Sequence, residues 1–362
     1  MKKPFIGSYS EKDCLFLLKQ IEPNFYTVED KERLIQSGQL HYSQMVSQET
    51  KPSTEYEQLF LSLTAQYKQQ LANEIMQLAH LISDNIKQPV CLVSLVRAGT
   101  PIGVLVNRAI NEYSTLESVH YSISIVRDKG IDTNALDYLI NDLNIKPESI
   151  VFIDGWTAKG VITKELKQAV QAYNKRKKVN VSDDLYVVSD IGGTADYSVT
   201  LHDYTIPSAL MNSTVSGLIS RSVINEQISE NDFHGCITYQ HLEKYDYSNW
   251  FINEVSDCFC EEQYQAPILT SEAQRVQRYQ QTQRYIKKLM SDYSVGDINR
   301  VKPGIAEATR VMLRRVPDTL LVKDKHNENT AHLMRIADEK GIVVIELPEM
   351  PFGACALIKD VS

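Results

Sequence analysis

The chain contains no apolar stretch near the roughly 20 residues that a membrane-spanning helix requires, and its opening MKKPFIGSYSEKD lacks the apolar core of a signal peptide. A cytoplasmic protein with no membrane partner is the expectation. Cysteine is sparse: Cys14, Cys91, Cys236, Cys258, Cys260 and Cys355 are scattered without a C-x-x-C pair, so neither a disulfide framework nor a zinc site is suggested. Positive charge is not in excess either. A net charge of -8 argues against whole-surface attraction to nucleic acid and leaves only a local basic face for such a partner. No internal repeat or low-complexity tract is visible. What is present is 362 residues, 43% of them hydrophobic, enough for two or three domains and at least one sizeable core.

The most telling segment is SIVFIDGWTAKGVIT, from Ser149 to Thr163. Ile150 to Ile153 form an apolar run without a helical stripe, which predicts a strand buried on both faces of a parallel sheet. The run ends on Asp154 and enters a glycine-bearing turn, with helix resuming near Lys164. Gly155 and Gly160 allow a tight bend, and Thr157, Thr163 and the turn's amides can donate hydrogen bonds. A helix N-terminus after such a turn is a seat for a phosphate. Asp154 itself suits ribose hydroxyls or a magnesium ion, because two anions repel. Many α/β proteins carry such a turn without a ligand, so the neighbouring segments must decide.

Those neighbours repeat the pattern. Residues 55 to 87 place Leu59, Leu63, Leu71, Ile75, Leu78 and Leu81 at helical spacing, predicting a long amphipathic helix. A buried strand follows from Val90 to Val96, ending in a turn with Arg97, Gly99, Thr100 and Pro101, and helix resumes to about Tyr113. A third strand runs through Tyr121, Ile123 and Ile125 to Arg127, Lys129 and Gly130, and Asp132 to Leu143 looks helical. DLYVVSDIGGTAD adds another strand that ends on Asp190. Strand, helix, strand, helix, strand with polar turns after the strands predicts a doubly wound parallel sheet. Residues 203 to 260 are irregular and read as a cap or extension of the same domain.

From Thr270 a polar helical segment, with Ser271 as N-cap, would link two domains. From about Gly296 a second, small α/β unit of roughly 65 residues follows, with a helix near Asn329 to Lys340 and the strand GIVVIEL. The expected division is 1–265, a linker over 266–295, and 296–362. Arg300, Lys302, Arg310, Arg314, Arg315, Lys323 and Lys325 fall within 26 residues, opposed by Glu307, Asp318 and Asp324. That basic face suits RNA phosphates, although an ordinary charged helix surface gives the same count.

IVFIDGWTAKGVIT, SLVRAGTPIG and SISIVRDKGID together resemble a phosphoribosyltransferase-like family of bacterial tellurite-resistance and stress gene clusters, some of whose members are named cysteine protease StiP. GSYSEKDCLFLLK, HYSQM and NSTVSGLISRSV extend the resemblance, and KPGIAEATRVMLRRVP through AHLMRIADEKGIVV resembles a pelota-type RNA-binding domain. The resemblance implies a type I phosphoribosyltransferase-like sheet and a phosphorylated ribose ligand, phosphoribosyl pyrophosphate with Mg2+, whose phosphoribosyl group passes to an unidentified acceptor. Arg97, Ala98, Gly99 and Thr100 would face the pyrophosphate, and Arg127 and Lys129 would close over it. Asp154 would hold ribose hydroxyls, and Gly155, Trp156, Thr157, Ala158, Lys159 and Gly160 would cradle the 5-phosphate. Asp190 would face the acceptor, and Lys302, Arg310, Arg314 and Arg315 would face RNA. No metal site made of protein ligands alone is implied.

The segment departs from the family's usual loop. Gly155 stands where a second acidic residue would help hold the ribose, Lys159 replaces the usual Thr before Gly160, and Thr163 comes one residue late. The ligand is therefore better supported than the reaction, and a sensor that binds the metabolite without turning it over remains an alternative. A cysteine protease is the second alternative, and its chemistry is poorly served. A contact between His234 and Cys236 in FHGC would be fortuitous in a turn, Cys258 and Cys260 sit among acidic residues, and Cys91 lies in an apolar strand.

Overall fold

The computed structural model describes residues 3–261, 266–267, 270–314 and 317–359. The described strands are β1 (Leu15–Leu17), β2 (Lys19–Gln20), β3 (Val90–Val96), β4 (Ser118–Val126), β5 (Gly130–Ile131), β6 (Ile150–Thr157), β7 (Leu185–Asp190), β8 (Tyr197–Thr200), β9 (Gly235–Cys236), β10 (Val301–Pro303), β11 (Pro317–Val322), β12 (Val343–Glu346) and β13 (Ala354–Ile358). The helices are α1 (Val28–Gln36), α2 (Thr54–Asn85), α3 (Thr100–Tyr113), α4 (Thr133–Asp137), α5 (Val161–Lys177), α6 (Ser248–Ser256), α7 (Glu272–Asp292), α8 (Ile305–Arg314) and α9 (Ala331–Lys340).

The main sheet runs β1-β4-β3-β6-β7-β8, all parallel, with β5 antiparallel to the end of β4. The α/β class with a parallel central sheet, expected from the alternation of apolar runs and helical segments, is what the chain forms. β3, β6 and β7 are buried nearly throughout, as strands covered by helices on both faces must be. Counting from β3, the chain steps outward to β4, then returns to β6 on the other side. The strand order therefore reverses between β3 and β6, and the crevice beyond the carboxyl ends of strands at such a point is where open α/β sheets bind ligands.

One local expectation changes. The strand through Asp154 does not stop there: Asp154, Trp156 and Thr157 stay in register with Val187, Ser189 and Asp190 of β7, so the turn begins at Ala158. The pairing partner, unseen in the local pattern, sets the strand's end. The helix expected over Asp132 to Leu143 forms within those bounds: Asp132 caps it, α4 passes at Tyr138 into a π-helical turn over Tyr138–Asp142, and Leu143 closes it.

The irregular stretch after Asp203 is tied down rather than loose. β9 pairs with β2, the Tyr9 hydroxyl donates to Val215 O, and Arg108 joins Asp13 to Asn253 of α6. Ser271 caps α7 reciprocally with Gln274. α7 does not hang between domains. Arg275 donates to Ala195 and Asp196 carbonyls of the front unit, while Arg278 reaches both Ile191 O and Pro351 O.

The C-terminal sheet has the order β10-β13-β11-β12, with β11 and β12 parallel and β13 antiparallel to β10 and β11. Its helix α8 buries Ile305, Ala308, Val311 and Met312 in the same apolar cluster as Leu59, Tyr204 and Ile206 of the front unit. The two units thus share one core.

Candidate functional site between the two units

The loops after β3 and β6 lie side by side at the reversal point. A side chain built at Gly155 would meet Ile102 Cγ1 at 3.4 Å and Ala98 O at 3.9 Å. Gly99 is closer still: a Cβ there would stand 2.8 Å from Ile153 O. Glycine at 99 is what lets the two strand ends approach. The amides expected to face a pyrophosphate are spent inside this tight turn, since Gly99 N donates to Leu95 O and Thr100 N to Arg97 O. The Thr100 hydroxyl is likewise buried against Ser122 at 2.7 Å. Arg97 carries what charge the loop offers. Its guanidinium pairs with Glu49 at 2.6 Å and donates to Ile219 O. Burial would raise the Glu49 carboxyl, but Arg97 and the Ser213 hydroxyl and amide hold it below its ordinary value.

The loop after β6 faces the C-terminal unit. Asp154 is partly buried, and burial pushes its carboxyl up to about 7 against a hydrogen bond from Gly155 N, with Arg310 acting to lower it and Glu307 to raise it. Trp156 packs against the main core and Thr157 meets Thr194 at 2.8 Å. Gly160 adopts φ +74 to start α5, where a Cβ would collide with Thr194 Cγ2 at 2.8 Å. No side chain caps α5, and the buried Thr163 hydroxyl in its first turn has no hydrogen-bond partner among the described residues. Ala158 is buried beside Val301 and Cys355. Lys159 donates to Ile298 O at 3.2 Å and Val301 O at 3.1 Å, and burial lowers its ammonium to about 8.

The remaining expected residues scatter. Arg127 lies over the Tyr42 ring and donates to Asn299 Oδ1, so it touches the C-terminal unit, while the amide of Lys129 closes the turn on Val126 O. Asp190 is buried and accepts from the amides of Gly192 and Ala195, shaping the next loop instead of facing the cavity. Lys302 lies on β10 and Arg310 on α8, Arg314 ends α8, and Arg315 lies outside the described residues.

A cavity of about 920 Å³ opens between the units, reaching from Arg97, Glu49 and Arg221 on the front unit to Lys302, Glu307 and Arg310 on the other. Eight lysines and arginines line it against four glutamates, in a chain whose net charge is -8. Residues 154–160 are not among its described lining; the segment 298–301 covers that turn through Lys159. Two residues the sequence did not mark hold the arrangement. Glu49 fixes Arg97, and Asp203 accepts from the Ile305 and Gly353 amides, docking the C-terminal unit. Asp203 is the lone carboxylate between Asp196 and Glu226, which is a usable signal; Glu49 sits in a polar loop and gave none. Among the described residues no three of His, Cys, Asp and Glu gather into a metal-binding group.

Four of the six thiols are closed off from solvent. Cys14, Cys91, Cys236 and Cys355 are buried, and burial raises each, Cys355 to about 12. The His234 ring is engaged by the Ser124 hydroxyl at 2.7 Å. Cys258 and Cys260 are partly exposed.

No described helix is long and apolar enough to cross a membrane. Among solved structures, hypoxanthine-guanine phosphoribosyltransferase of Bacillus anthracis is similar at 13% identity and a TM-score of 0.28 over 38% of this chain and 81% of that one. Hypoxanthine phosphoribosyltransferase of Trypanosoma cruzi, in complex with the product IMP, is similar at 12% identity and a TM-score of 0.30 over 50% of this chain and 93% of that one. Likeness at this level carries no argument about function. A relative in Acinetobacter baylyi, described as cysteine protease StiP, is 40% identical over all of this chain and 96% of its own length. Residues 280–360 match the PELOTA RNA binding domain. Residues 7–256 match the family described as tellurite-like stress resistance cysteine protease StiP, and the chain belongs to that family.

Proposed function

We propose that the chain is a phosphoribosyltransferase-like enzyme that binds phosphoribosyl pyrophosphate, as its magnesium complex, at the reversal point of the main sheet. The observation that carries this reading is the cationic cavity of about 920 Å³ beside the Arg97 loop, in an acidic protein, with Asp154 outside the lining but within electrostatic reach of Arg310 and Glu307 on its wall. The magnesium arrives with the diphosphate as part of the substrate. Arg97 suits diphosphate oxygens because its planar fork matches their geometry. Asp154 suits the ribose hydroxyls. In transfer, the bond from C1 to the diphosphate oxygen breaks with its electron pair, and the acceptor bonds to C1. The acceptor's proton can pass to Asp154, whose carboxyl is poised near neutrality. Seating the 5-phosphate on residues 158–160 requires Lys159 to leave the carbonyls of Ile298 and Val301, so ligand and C-terminal unit draw on the same side chain.

The thiol environments favour this reading over cysteine proteolysis, which needs an accessible thiolate beside a histidine. Calorimetric titration of phosphoribosyl pyrophosphate and magnesium tests it. Arg97→Ala, Asp154→Asn and Lys159→Ala are each expected to weaken binding by about 1 to 3 kcal/mol if the contacts are charge-assisted. Unchanged affinity in all three would remove the assignment. Pyrophosphate release with a panel of bases and small nucleophiles then separates an enzyme from a sensor that binds without turnover.

A further inference from the structure

We infer that Lys302 and Arg310 of the C-terminal unit are ligands of the same diphosphate that Arg97 meets, so that the anion site is built jointly by the two units. This deepens the reading above and rests on it for the identity of the ligand, though not for the recognition of a diphosphate.

In the sequence these two residues fall in a basic run that suits RNA phosphates. In the fold both line the cavity. Asp203 accepts from the Ile305 amide at 2.9 Å and from the Gly353 amide at 2.7 Å, fixing the start of α8 and the turn before β13 against the front unit. Ile305, Ala308 and Val311 continue the front unit's core. Arg310 is one turn or so further along α8 and Lys302 lies on β10, and with that anchoring both line the cavity opposite Arg97 and Arg221. The geometry is that of a clamp: cations on two walls, a shared core behind them, and the strand ends of the parallel sheet below.

Glu307 occupies the middle of the C-terminal wall. It pairs with Arg310 at 2.9 Å, and although burial would raise its carboxyl, Arg310, Lys302 and Lys159 hold it below its ordinary value. One carboxylate thus sits where several cations converge, as a stand-in for an anion that comes and goes. A diphosphate entering the cavity must compete with it. Removing the Glu307 charge should therefore strengthen anion binding, a gain that a damaged fold would not give.

The test uses the full chain with inorganic pyrophosphate and, separately, phosphoribosyl pyrophosphate as calorimetric probes, and a short single-stranded RNA in a filter-binding assay. Lys302→Ala and Arg310→Ala are each expected to weaken pyrophosphate binding by about tenfold, the size of one charge-assisted contact, and Glu307→Gln to tighten it severalfold. Lys323→Ala, from the same basic run but outside the cavity lining, is expected to leave it unchanged. Circular dichroism melts of each variant report whether it has folded. If Arg97→Ala weakens pyrophosphate binding while folded Lys302→Ala, Arg310→Ala and Glu307→Gln do not alter it, the joint site is overturned and the front-unit reading stands. If the three variants behave as expected but phosphoribosyl pyrophosphate binds no tighter than pyrophosphate, the joint site stands and the phosphoribosyl reading falls. Loss of RNA binding in Lys302→Ala and Arg310→Ala with pyrophosphate binding intact would return both residues to an RNA surface and overturn the inference.

Discussion

The loops after β3 and β6 each present a cation at the carboxyl end of a buried parallel strand, yet the two cations are held from opposite sides. Arg97 is met by Glu49, a carboxylate of its own unit, whereas Lys159 is met by two carbonyls of the C-terminal unit. A charged partner leaves Arg97 in place at the cavity wall. Neutral carbonyls hold Lys159 more weakly, and burial already lowers its ammonium to about 8. The first loop is therefore a fixed part of the site. The second is coupled to how the C-terminal unit docks. The cavity beside the β3 loop is walled on its other side by a domain that follows in the chain.

The largest effect should come from breaking the fixed side. Glu49→Ala strands the Arg97 guanidinium, whose side chain is only 13% exposed, and is expected to cost about 3 kcal/mol in urea unfolding, because removing one partner leaves a buried charge uncompensated. Adding Arg97→Met should recover most of that loss. If Glu49→Ala unfolds like the wild type, the pair does not hold the loop and the contrast between the two loops fails.

A smaller, pH-dependent effect sharpens the other side. Burial raises the Asp154 carboxyl from its ordinary 3.8 to about 7, so the folded chain binds this proton more tightly than the unfolded one. Its contribution to stability is full below 3.8 and is lost as pH rises through about 7. Relative to Asp154→Asn, the wild type should lose melting temperature between those limits and show a level gap above them. Parallel melting curves for the two proteins across that range would show that Asp154 titrates normally.

The smallest effect reports on docking. Cys91 lies in β3 and Cys355 in β13, both buried, while Cys258 and Cys260 are partly exposed. Iodoacetamide on the native chain should modify Cys258 and Cys260 and spare the other two. If the C-terminal unit swings free, Cys355 will react well before Cys91, and Lys159 cannot be held as described.

Much of the fold was legible because buried parallel strands announce themselves as apolar runs: Val90 to Val96 and the start at Ile150 needed no partner to be seen. The end of β6 was not, because Asp154 to Thr157 stay in the strand only through their pairing with Val187 to Asp190. Arg97, Asp154 and Lys159 stood out in the sequence as polar residues after such runs. Their present partners did not, since Glu49 lies far back in a polar loop and the carbonyls of Ile298 and Val301 belong to another unit. Lys302 and Arg310 were visible as charge, but charge alone does not show which way a wall faces. That required Asp203 and the shared core, which are properties of packing between segments about a hundred residues apart.

The central claim is tested most directly by crystals of the full chain grown with phosphoribosyl pyrophosphate and magnesium. The account expects the diphosphate in the cavity against Arg97, Lys302 and Arg310, with the ribose hydroxyls on Asp154 and Lys159 turned away from Ile298 and Val301. Clear density for the ligand elsewhere, or a cavity that stays empty at saturating ligand, would contradict it.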